Sequence, residues 1–68
     1  MNVLIIDAQT RGLDFAMRCE DAGHSVKLWI PPESDKKESP IGKNIVQRPK
    51  EWKPHMKWAD LVWKVTLR

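Results

Sequence analysis

Four residues have the type and the setting to hold a phosphate or a sugar hydroxyl: Asp7, Thr10, Arg11 and Lys43. Asp7 closes the apolar run Asn2-Val3-Leu4-Ile5-Ile6, which places it at the carboxyl end of a strand, where open α/β sheets take their ligands. There its carboxylate can accept a hydrogen bond from a ribose hydroxyl, or turn back and cap the turn that follows. Thr10 and Arg11 stand at the start of a helical pattern, where backbone N–H groups and the helix dipole favour an anion. The plainer reading of Arg11 is a solvated charge. Lys43 sits in Ile41-Gly42-Lys43-Asn44, where glycine frees the backbone and lysine supplies charge; the same four residues also make an ordinary turn.

A second group is aromatic and basic. Trp52-Lys53-Pro54-His55-Met56-Lys57-Trp58 interleaves rings with cations, and Trp63 follows close behind. Proteins that bind single-stranded nucleic acid stack bases on such rings along a basic groove. Protein interfaces use the same composition, with Trp as hot spot and Met as adaptable filler. In a third reading, Trp52 and Trp58 simply seal the core. The protein reading is adopted, with Trp52, Lys53, Lys57, Trp58 and Trp63 as the contact set and nucleic acid as the alternative partner. His24, His55 and Cys19 lie too far apart in the sequence for a recognisable metal spacing. Cys19 falls on an apolar helix face with no base placed near it, so no catalytic residue, metal or cofactor is expected.

The elements that must carry these groups follow from periodicity. Residues 2–7 are continuously apolar up to Asp7 and read as a strand buried on both faces. Thr10 is placed as an N-cap for a helix over 11–22, in which Gly12, Phe15, Ala16, Cys19 and Ala22 share a face and Gly23 is the stop. Residues 25–30 alternate Val26, Leu28 and Ile30 with Lys27 and Trp29, giving a second strand that Pro31-Pro32 ends. Strand, helix and strand in this order form a right-handed βαβ unit. Beyond a charged loop over 33–40, residues 45–48 are expected as a short strand, 51–58 as a helical turn limited by Pro54, and 60–67 as the last strand. The fold expected is a single small α/β domain over 1–68, a half-Rossmann βαβ arrangement with a three- or four-stranded, mainly parallel sheet.

Composition bounds the rest. At 41% hydrophobic, with four tryptophans, the chain has the makings of a core. A domain of 68 residues has a thin stability margin. A single cysteine excludes an intramolecular disulfide. No stretch approaches the length of a membrane span, and no signal-peptide pattern precedes the first strand, so a cytoplasmic protein is expected. Residues 1–35 hold three basic side chains against six acidic, residues 36–68 nine against three, so the halves carry −3 and +6. A basic half suits an acidic protein surface or a polyanion. One helix cannot cover both faces of a parallel sheet, which leads to the expectation of a homodimer formed by joining edge strands or exchanging the last one.

Residues 1–7, Ala22-Gly23-His24-Ser25-Val26-Lys27-Leu28, Pro40-Ile41-Gly42-Lys43, Trp52-Lys53 and Trp58-Ala59-Asp60-Leu61-Val62 together resemble one family. The chain is similar, over residues 1 to about 62, to the N-terminal domain of bacteriophage phosphoribosylamine–glycine ligase homologues, which are ATP-grasp enzymes. The resemblance implies a domain that packs on an ATP-grasp partner, with a glycine-rich first turn near the phosphoribosylamine. Here that turn holds only Gly12, and 68 residues leave no room for an ATP-grasp domain. A truncated, non-catalytic module is therefore expected, acting through its surface. Size and resemblance together suggest a small phage inhibitor of a host defence complex, working in the host cytoplasm. The alternative is a phosphoribosyl or nucleotide ligand held near Asp7, Thr10, Arg11 and Lys43, in concert with a separate ATP-grasp partner.

Overall fold

The computed structural model describes residues 1–65. It contains strand β1 (Asn2–Asp7), helix α1 (Leu13–Asp21), strand β2 (Ser25–Trp29), a 3-10 turn at Lys53–His55 and strand β3 (Leu61–Val65). The three strands form one all-parallel sheet in the order β2-β1-β3. Val3 lies level with Val26 on one side and Leu61 on the other, and Ile5 with Leu28 and Trp63. β1 is therefore the central strand, and Val3, Leu4, Ile5 and Ile6 are buried on both of its faces.

The expected fourth strand over 45–48 contracts to one parallel bridge, in which the Leu28 N–H donates to the Gln47 carbonyl at 2.8 Å. Pro49 lacks the N–H needed to extend it. Even so, Gln47 lies outside β2, so the order Gln47, β2, β1, β3 reproduces half of a Rossmann sheet, with its reversal between β1 and β3. The last strand was expected over 60–67; it is seen over Leu61–Val65, and residues 66 and 67 lie outside the described residues.

Helix α1 begins later than its periodicity suggested. Gly12 takes the N-cap position without a side-chain bond, and Thr10 sits upstream with φ +57°, so Thr10 is not the cap. The cause is Asp7, whose buried carboxylate accepts the Gly12 N–H and supplies the capping acceptor from the preceding strand. At the other end Gly23 adopts φ +92°. Its N–H donates to Glu20 at 2.9 Å and that of His24 to Cys19 at 3.0 Å, the paired bonds of a Schellman motif.

One face of the sheet packs on α1 through Val3, Ile5, Val26, Leu28 and Ala16, with Ile30 and Val46 completing the cluster. The opposite face carries Leu4, Ile6, Lys27 and Trp29, because successive side chains alternate. Residues 50–58 run over this second face. The Lys27 ammonium lies 4.3 Å from the centre of the Trp58 ring and donates to Nδ1 of His55 at 3.0 Å, while the Trp29 indole N–H donates to the Lys50 carbonyl at 3.1 Å. The strap is pinned where β3 begins: the Asn2 side chain donates to the Trp58 carbonyl at 3.0 Å, and Asp60 N–H to the Asn2 carbonyl at 2.7 Å. Both faces of β1 are thus covered from within. What stays least covered is β3, because a helix about 10 Å across spans roughly two strands about 4.8 Å apart, and α1 lies against β2 and the Val3 and Ile5 side chains of β1, reaching β3 only at its margin.

Candidate functional site

The turn after β1 brings Asp7, Thr10 and Arg11 close in sequence but not into one cradle. Asp7 is fully buried; one carboxylate oxygen accepts the Gln9 N–H at 3.1 Å and the other accepts the Gly12 N–H. A carboxylate of the chain itself thus occupies the donors that a glycine-rich turn would offer to phosphate. The Thr10 hydroxyl donates to the Gln9 carbonyl at 2.6 Å, and both Thr10 and Arg11 are exposed. Gly12 is required for this arrangement: a Cβ there would lie 3.0 Å from Asp7 Oδ2 and 3.1 Å from Ile5 Cγ2.

Lys43 stands elsewhere. It lines a cavity of about 250 Å³ at the carboxyl end of β2, whose walls include Arg48, Lys50, Asp35 and Glu38 but none of Asp7, Thr10 and Arg11. Arg48 is half-buried, and its Nη1 donates to the carbonyls of Ser39, at 3.0 Å, and Ile41. A second cleft of about 270 Å³ opens beside it between Trp29 and Trp52, with Lys50, Glu51 and Lys53 on its walls. Arg48 was not singled out from the sequence, and Trp29, though one of the four tryptophans, was left out of the expected contact set. For Trp29 the signal was present, since its alternation with Leu28 and Ile30 already turned it away from the α1 face.

The five residues expected as one contact set divide between two faces. Trp52 and Trp58 are half-buried on the strap face, where the Lys53 ammonium lies 5.7 Å from the Trp52 ring centre and Lys57 is exposed. Trp63 belongs to the α1 face, packed edge-on against Phe15 with ring centres 4.5 Å apart and planes at 61°. Around that pair lies exposed apolar surface: Leu61 is 46% exposed, Trp63 38% and Phe15 37%. These side chains flank β3, the terminal strand of the sheet on that side.

The remaining reactive side chains serve the fold. His24 accepts from the N-terminal ammonium at 2.9 Å through Nδ1, and Cys19 packs half-buried against the core. Among the described residues no three His, Cys, Asp or Glu side chains converge to hold a metal, and no helix is long and apolar enough to cross a membrane. Comparison with protein-family models, curated proteins and solved structures returned no match.

Proposed function

We propose that this chain is a non-catalytic binding module that engages a protein partner along β3. The observation that carries the reading is the uncovered apolar surface of Phe15, Leu61 and Trp63 beside an edge strand. Monomeric domains protect edge strands with a covering element or with charge. Here Lys64 is the one charged side chain within β3, and it points to the strap face, away from Leu61 and Trp63. Aromatic groups beside unpaired backbone suit an extended segment or a second copy of the chain, which adds its hydrogen bonds to the edge and its side chains to the rings. A second copy is the first partner to test. The resemblance to a phage ligase domain, and a role in blocking a host defence complex, extend this proposal to the choice of other partner.

The test is mass against concentration. Light scattering at micromolar concentration should give a mass above the 7.9 kDa of one chain. Trp63→Lys should return the mass to that of the monomer while leaving the circular dichroism spectrum intact. A wild-type chain that stays monomeric, and that retains no host protein lost by Trp63→Lys, would refute the proposal.

A further inference from the structure

The two clefts at the carboxyl end of β2 adjoin at Lys50, which lines both. Each half has its own chemistry. In the first, Lys43, Arg48 and Lys50 present three cations against the carboxylates of Asp35 and Glu38. Arg48 is held in place by the carbonyls of Ser39 and Ile41, yet among the described residues no carboxylate comes within ion-pair distance of it, and its buried Nε has no hydrogen-bond partner. A partly desolvated guanidinium without a counter-charge is stabilised by an incoming anion. The second half is walled by two indoles. The Trp29 ring is fixed by its bond to the Lys50 carbonyl, and Lys53 lies over Trp52. Both rings line the one cleft and offer it aromatic surface.

We infer that this surface is a nucleotide site, with the base stacked between Trp29 and Trp52 and the phosphate received by Lys43, Arg48 and Lys50. Stacking on indole tolerates any base, because every base offers a π face. The excess of cations in the phosphate cavity is a single charge. That suits a monophosphate better than a triphosphate, and leaves Asp35 and Glu38 to accept from sugar hydroxyls. Of the four ligand residues expected from the sequence, only Lys43 takes part; the turn after β1 is filled by the Asp7 carboxylate. The site adjoins β2, across the sheet from the β3 edge that carries the proposed protein contact, so either proposal can fail alone.

Adenosine monophosphate, titrated at constant ionic strength, tests it by heteronuclear NMR. Saturable shifts are expected at the indole N–H signals of Trp29 and Trp52 and at the amides of Ser39, Lys43 and Lys50. Lys43→Gln and Lys50→Gln change exposed side chains and should each weaken the monophosphate about tenfold, while adenosine loses little. Trp52→Ala should weaken both ligands, and Trp52→Phe should restore most of the loss. A short random-sequence single strand forms a parallel arm: tighter binding of the strand assigns the site to polymer, tighter binding of the monophosphate to free nucleotide. Absence of saturable shifts with either ligand overturns the inference. So does binding that survives both Lys50→Gln and Trp52→Ala, or shifts confined to residues 8–12.

Discussion

At the scale of single residues, the chain commits its one fully buried carboxylate among the described residues, Asp7, to holding its own turn. Two backbone donors point at it, so Asp7→Ala strands the buried Gly12 N–H and the part-buried Gln9 N–H. That substitution should cost about 1–3 kcal/mol of stability, read from the urea midpoint at constant slope. Gly12→Ala tests the same contact from the other side. Its Cβ would meet Asp7 Oδ2 at 3.0 Å and Ile5 Cγ2 at 3.1 Å, both on buried residues that cannot move aside freely. A loss of about 1–3 kcal/mol is expected from this overpacking. If Gly12→Ala were neutral, the carboxylate would not be packed as described. Glycine at 12 thus answers to steric closeness rather than to phosphate.

At the scale of elements, the tryptophans separate by task. Trp58 lies under the Lys27 ammonium on the strap that covers Leu4 and Ile6, so Trp58→Ala should act on folding. The ring is half-buried, and a loss of about 2 kcal/mol is expected, below the roughly 3–5 kcal/mol of truncating a fully buried aromatic. Trp63→Ala should cost less stability than Trp58→Ala, losing mainly its packing on Phe15, and should weaken association by roughly 2 kcal/mol or more if the ring anchors the partner. Hydrogen exchange checks the edge directly. The amides of Leu4, Ile5 and Ile6 in the central strand should exchange slowest, with alternate amides of β3 near the rate of exposed backbone in dilute monomer. Protection of those β3 amides on raising the concentration would show the edge strand pairing with a second copy; fast exchange in an associated sample would place the contact on the rings alone.

For the whole molecule, size sets the margin. Stability of roughly 0.05–0.15 kcal/mol per residue places a domain of 68 residues at the low end of folded proteins, so a bound partner registers strongly. Binding that involves only the native state raises the melting temperature by mass action. The thermal midpoint should therefore rise with protein concentration in the wild type and not in Trp63→Lys. Adenosine monophosphate should raise it in both. A midpoint indifferent to concentration across the micromolar to millimolar range would remove the case for self-association. The two ligand effects are expected to add, because the sites lie at opposite edges of the sheet and share no side chain.

By itself the sequence determined the parallel βαβ frame. The unbroken run Val3 to Ile6 could be buried only at the centre of a sheet, Gly23 could end a helix in the left-handed region, and Val26 and Leu28 had to face the helix together. It also placed Asp7 at the end of its strand and offered turn-capping as one of its two roles. What it left open were contacts between residues far apart in the chain. Local propensity at 45–48 favoured a strand, but one hydrogen bond to Leu28 was all that Pro49 and the turn at Gly42 allowed. The spacing of Trp52, Trp58 and Trp63 suggested one surface. Only the crossing of the strap under the sheet, followed by the return of the chain as β3, put Trp63 on the face opposite the other two. Arg48 and Trp29 meet across a shared lysine for the same reason: periodicity records which way a side chain points along its own element, whereas a cavity is made by elements that tertiary packing brings together.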